Sequence, residues 1–242
     1  MKKYLAIFLL LIVGFYLIQA FNLVPFGANR VGNIDDESTV GAYYLKNTVP
    51  KTSVANVVTA IVVNYRGFDT LGEVTVLFLA TTGLGSILFR KRKHGEEEER
   101  VLKESSQLVK IGSRLLFPFI ALLGIYVFIH GHLTPGGGFQ GGAIIATGFL
   151  LMLVAYKNYK LGHGALTWIE SLAGITFAGI GIWGLITGGT FLENNAFPGL
   201  GNVNDLISGG VIPIIYIAVG FKVAAELTGV LDILLSIKPN KN

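Results

Sequence analysis

Apolar runs of roughly 20 residues recur along this chain, and that is the length an α-helix needs to cross a bilayer. Spans are expected at residues 4–24, 71–89, 111–129, 139–156, 166–186 and 206–227. Lipid offers the backbone no hydrogen-bond partners, so each span must satisfy its own N–H and C=O groups as a helix. The expected fold class is therefore all-α, a polytopic membrane protein with about six transmembrane helices. Charged residues make up 14% of the chain, against about 25% in soluble domains. The absence of cysteine excludes disulfides, thiolate-held iron–sulfur clusters and cysteine zinc sites within this chain.

The segments between the runs set the organisation. Lys2 and Lys3 precede the first run; a basic start suits a signal peptide, but the run is long enough to span and lacks a clear A-x-A site, which favours a retained helix. A polar stretch, residues 25–53, contains Asp35, Asp36 and Glu37 and is expected to be a solvated loop. Val54, Val57, Val58, Ile61 and Val62 recur at helical spacing, too short to span, so an amphipathic helix at the outer interface or on a partner is expected. Its valine content leaves a strand open. Thr70 and Glu73 have capping-box spacing and would start the second span, which Arg90, Lys91, Arg92 and Lys93 would stop. The charged seam 94–105, with glutamate at 96–99, is the expected connector between two modules, 1–93 and 106–242. Gly174, Gly179, Gly181 and Gly184 would favour close helix contact in the fifth span. With six spans, all of the 19 Lys and Arg except Arg30, Lys46, Lys51 and Arg66 fall on the side of the termini. The positive-inside tendency then puts both termini in the cytoplasm.

The candidate functional residues are few. The stretch HGHLTPGGGFQGG at residues 130–142 lies between two spans and reads as a shaped break, Pro135, Gly136, Gly137, Gly138, Phe139, Gln140 and Gly142. Such a break is tolerated at membrane depth only where protein or a water-filled cavity satisfies its backbone; a plain flexible loop is the alternative. His130 and His132 have a titration range suited to proton handling, or serve structural hydrogen bonds. They are too few for a metal site. The glycines lack the Lys-Ser/Thr ending of a phosphate loop. Lys222 follows a long uncharged stretch, with Glu226 one turn later. It is either a snorkelling residue near the inner interface or a charge facing a polar interior, where burial demands a partner or a function. Pro213 would kink that helix. Glu73 and Asp69 are helix-start residues that could also join an ion path, whereas Glu170 has the place of an ordinary interfacial carboxylate.

HGHLTPGGGFQGG followed by an apolar helix, together with SGGVIPIIYIAVGFKV at residues 208–223, resembles the MnhB family, small membrane subunits of Mrp-type Na⁺/H⁺ antiporters with relatives in archaeal membrane-bound respiratory complexes. The similarity covers about 111–227 and places Lys222 at that family's lysine position. NVVTAIVVNYRGFDTLGE, residues 56–73, is similar to the C-terminal end of the large antiporter subunit. The resemblance implies a non-catalytic integral subunit of a Na⁺/H⁺-translocating complex of hydrogenase or sulfur-reductase type. A stand-alone Mrp antiporter subunit and a structural scaffold are the alternatives. It also implies other membrane subunits as partners, Na⁺ and H⁺ as transported ions, the lipid bilayer as surroundings, and neither cofactor nor nucleic acid. Lys222, Glu73, Asp69, Glu226, His130 and His132 are the ion-path candidates. An independent transporter would favour an internal repeat, and none is visible. A membrane enzyme would need a nucleophile–base set or metal cluster, which the sequence lacks.

Overall fold

The computed structural model describes residues 2–23, 39–89, 105–159, 161–194 and 199–235. The acidic residues at 35–37, the basic stop at 90–93, residues 94–104 of the charged seam and Pro198 lie outside them. Among the described residues the chain is helical, without strands: α1 Lys2–Leu23, α2 Val40–Thr52, α3 Val57–Ala60, a π-helical turn Ile61–Tyr65, α4 Gly67–Phe89, α5 Gln107–Ile129, α6 Gly138–Ala155, α7 His163–Gly188 and α8 Ile212–Leu235. Five helices, α4 to α8, are long and apolar enough to cross a membrane, and α1 carries a shorter apolar run, Ile7–Gln19. The protein is a multi-pass membrane protein.

The residues form two compact units, Met1–Lys46 and Asn47–Asn242. In the second, α8 is the central element: α4, α5, α6 and α7 all pack on it. A helix apolar all round suits such a place, and most of α8 is buried while α4 and α5 keep broad exposed apolar faces. Backbones come close where glycines meet. A Cβ on Gly142 of α6 would strike the Gly220 carbonyl of α8, and one on Gly124 of α5 would strike Gly141 of α6. Phe128 fills the corner, its ring seated over Gly220. Small residues let dispersion and close packing replace the hydrophobic effect that lipid does not supply.

Several expectations are corrected. The polar stretch before Ser53 contains α2, whose Pro50 falls in its last turn; the mixed polar sequence hid it. The segment after it is not an amphipathic helix at an interface. Val54 of the valine stripe is buried, but so are Thr59, Ala60 and Val63 off it, whereas Val58 of the stripe is exposed. The π-helical turn breaks the 3.6-residue period on which that stripe rested. Thr70 does not cap α4, which starts three residues earlier at Gly67. Its hydroxyl donates to the Val62 carbonyl at 2.7 Å and so satisfies an acceptor in the π turn. The last span starts at 212 rather than 206 and runs to 235. Pro213 thus occupies its first turn, where a missing N–H costs nothing and no kink follows. The α7 glycines serve a different neighbour as well. Gly181 faces Phe191, and Gly184 faces the backbone of 190–193, so they receive the loop that folds back after α7.

Candidate functional site

The shifted boundaries of α8 decide where Lys222 stands. At 1.5 Å per residue it lies about 15 Å from Ile212 and about 20 Å from Leu235, and a four-carbon stem does not bridge either distance. Its side chain is 9% exposed. An ammonium so buried requires partners. The ammonium meets Glu226 Oε1 at 2.8 Å on α8 itself and Glu170 Oε1 at 3.8 Å from α7, and it lies 5.2 Å from the centre of the Phe78 ring of α4. Three helices thus converge on one cation. Glu226 has no side-chain exposure and Glu170 is 23% exposed, so the group is sealed on the α8 side and opens past α7. With all three ionised it carries one excess negative charge, which a proton or a small cation offsets.

A second ionisable pair joins the same two helices. His163 Nε2 opens α7 and lies 3.2 Å from Asp232 Oδ2 in the last turns of α8; the histidine is 57% exposed and the aspartate 5%. His163 and Glu170 are seven residues apart, two turns along one face of α7. Sequence reasoning missed Asp232 because the expected helix ended at Leu227. It also read Glu170 as interfacial, since nothing local betrays a partner 52 positions later.

The glycine-rich break is shorter than expected. Gly138, Phe139, Gln140 and Gly142 belong to α6, leaving 130–137 as the turn that contains Pro135, Gly136 and Gly137. None of its glycines adopts a left-handed backbone; close approach requires Gly131 against the Tyr216 ring and Gly136 against the Val127 carbonyl, and likewise Gly138, at the start of α6, against Val219 and the Tyr216 carbonyl. The turn is no flexible loop. Asn56 Nδ2 donates to the carbonyls of Gly131 and Thr134, both at 2.9 Å, and the Asn56 N–H to that of His132 at 3.1 Å. Thr59 Oγ1 donates to Gly131 at 2.5 Å and accepts from the Tyr216 hydroxyl at 3.1 Å. Asn56 also caps α3, accepting from Val58 and Thr59. The residues off the valine stripe are those that bind the break.

His132 and His130 differ. His130 ends α5, its ring stacked on Tyr126 at 4.3 Å. His132 is fully buried, and neither ring nitrogen makes a sound hydrogen bond among the described residues. Burial pushes its pKa below the usual imidazole value, offset in part by the backbone at Asp205. Asp69 pairs with Arg66 on the surface, and Glu73 is exposed on α4. Neither is among the partners of Lys222. No group of three or more His, Cys, Asp or Glu among the described residues has metal-binding geometry.

Comparison with known proteins is consistent along the chain. The family described as a domain related to the MnhB subunit of Na⁺/H⁺ antiporter matches residues 108–229, and the MbhE family, whose members are subunits of MBH, matches residues 24–104. An uncharacterized protein of Methanocaldococcus jannaschii is 32% identical over 86% of this chain and 87% of its own length. A probable K⁺/H⁺ antiporter subunit of Rhizobium meliloti is 28% identical over 65% of this chain but only 18% of its own. A chain from the structure of the membrane-bound sulfane sulfur reductase, an archaeal respiratory membrane complex, superposes with a TM-score of 0.76 at 48% identity, covering 97% of this chain and 98% of that one. A chain of the Mrp complex from a Dietzia species shares the fold at 24% identity, TM-score 0.68, over 96% of this chain and 26% of its own.

Proposed function

We propose, from the premise that this chain belongs to the family of domains related to the MnhB subunit of Na⁺/H⁺ antiporters, that it is a non-catalytic integral subunit of a multisubunit Na⁺/H⁺-translocating complex. The observation that carries the reading is the Lys222–Glu226–Glu170 group at the middle of α8. Intramembrane charges are costly and mark ion and proton routes. Here the excess negative charge gives H⁺ and Na⁺ a common site at which to compete, which is what exchange requires. The near full-length likeness to a chain of a respiratory sulfane sulfur reductase favours an assembly driven by redox chemistry in other subunits over a stand-alone antiporter. The chain reads as a fusion: module 1–93 resembling the end of the large antiporter subunit, connector 94–105 and MnhB-like module 106–242. Supporting this, the two family matches meet between residues 104 and 108. With α1 counted as a sixth span, the distribution of Lys and Arg supports a reading with both termini in the cytoplasm.

The scaffold reading has its own support. Glu73 and Asp69 are exposed, outside the buried cluster, and the glycine contacts make α8 a packing centre. One experiment separates the two. The complex is purified with its full subunit list, and Na⁺-dependent proton movement is measured in vesicles per assembled complex. Lys222→Ala is expected to reduce transport at least tenfold; unchanged transport per assembled complex leaves only the scaffold.

A further inference from the structure

From the Lys222 group to the end at which α7 begins and α8 runs out, the packed pair of helices stays polar. His163, the first residue of α7, holds Nε2 3.2 Å from Oδ2 of Asp232 on α8. The ring is 57% exposed and the carboxylate 5%, so one partner meets the surroundings and the other is enclosed. At 1.5 Å per residue, Asp232 lies about 9 Å along α8 from Glu226, and His163 about 10 Å along α7 from Glu170. The register agrees on both helices. His163 and Glu170 share a face of α7, and Lys222, Glu226, Gly229 and Asp232 fall within about 120° of the α8 circumference at 3.6 residues per turn. Between the two charged groups the packing is open. A Cβ on Gly229 would meet nothing within 4 Å, and Glu226 Oε2 and Thr228 Oγ1 are buried with no hydrogen bond among the described residues. Buried polar atoms beside open space are where proteins hold ordered water.

We infer that the His163–Asp232 pair is the proton entrance to the Lys222–Glu226–Glu170 group, joined to it by water along the α7–α8 seam; the inference rests on the ion route proposed above. The chemistry selects H⁺ over Na⁺ at this point. Hard cations take oxygen ligands, whereas this pair supplies one nitrogen and one carboxylate. Nitrogen and oxygen 3.2 Å apart are instead at hydrogen-bond distance, the contact along which a proton passes. Histidine exchanges protons with water near neutral pH, and His163 has the exposure to do so. The imidazole takes a proton from water and becomes imidazolium. Its Nε2–H bond then breaks as an O–H bond forms on Asp232 Oδ2, and the neutral carboxyl releases that proton through water to Glu226 or Glu170. Ring and carboxylate return to their first charges, rotation of the exposed ring restores the tautomer, and one proton has entered. Glu226 needs such a relay because its side chain has no exposure. The rival entrance is the partly exposed side of Glu170.

The test uses the assembled complex in vesicles, with Na⁺-dependent proton movement measured per assembled complex. His163→Lys keeps a cation for Asp232 but holds its proton firmly near neutral pH, which separates a relay from an ion pair. It is expected to assemble as the unaltered complex does and to transport at least about tenfold more slowly. Asp232→Asn should be as slow. Asp232→Glu keeps a titratable carboxyl and should retain most of the transport, which also shows that losses are not failures to fold. Transport at the unaltered rate in His163→Lys marks the pair as a structural tie and overturns the inference. Unaltered transport in Asp232→Asn does the same, and places proton entry at the exposed side of Glu170. Lys222→Ala, measured beside them, tells the two readings apart. If it abolishes transport while the His163 and Asp232 variants do not, the ion route stands and this entrance falls; if it leaves transport unchanged, both fall.

Discussion

Replacing Lys222 by methionine keeps the stem and removes the charge, which isolates the electrostatics of the buried group. At an effective dielectric constant near 20, the 2.8 Å contact with Glu226 corresponds to about 6 kcal/mol of attraction and the 3.8 Å contact with Glu170 to about 4 kcal/mol. Desolvation offsets much of both, so the intact group is worth far less than their sum. Removing one partner is different. Glu226 has no side-chain exposure and would remain as an uncompensated buried charge, at about 3–5 kcal/mol. The expected order of destabilisation is Lys222→Met, then Glu226→Gln, then Glu170→Gln, since Glu170 is partly exposed and farther away. The double variant Lys222→Met/Glu226→Gln should be more stable than Lys222→Met alone, because its neutral amide is cheaper to bury. Thermal unfolding in detergent and recovery of intact complex on native gels measure both. A double variant no better than Lys222→Met, or Glu170→Gln as damaging as Lys222→Met, refutes the reasoning.

Asn56→Ala removes both side-chain donors to the 130–134 turn and the cap on α3; at about 1 kcal/mol per hydrogen bond the expected cost is about 2–4 kcal/mol, read as faster hydrogen exchange at residues 130–137. Gly142→Ala drives a methyl into the Gly220 carbonyl and Val223, an overpacking cost of about 1–3 kcal/mol, and should lower the unfolding temperature and complex yield, whereas Gly179→Ala, with open space around it, should not. Because burial lowers the His132 pKa in the folded state, the unfolded chain binds more protons and stability rises with pH. Stability should therefore be full above the ordinary value of 6.5 and fall as pH drops through it. Thermal melts between pH 5 and pH 8 check this, and His132→Gln should flatten the dependence.

Lys222, Glu226, His132 and the glycines of the break were legible because each violates a local expectation: charge in an apolar run, or glycine clustered between spans. Glu170 and Asp232 were not, since a carboxylate near a helix end is ordinary until a partner on another helix is seen. The valine stripe failed because hydrophobic periodicity assumes an unbroken α-helical period, and the π turn at Ile61–Tyr65 resets the phase after four residues. The true buried side includes Thr59, whose hydroxyl is needed by Gly131 and Tyr216.

By itself the sequence determined what each local stretch demands of its solvent. Twenty apolar residues require lipid and a helix, and that alone settled the fold class. Tertiary structure decided the partners. It put α8 at the centre, moved its ends until Lys222 fell at mid-helix, and brought Glu170 to the ammonium from α7. The physical reason is that hydropathy acts on each residue separately, whereas a buried charge is stabilised only by a group that another segment carries to within a few ångströms.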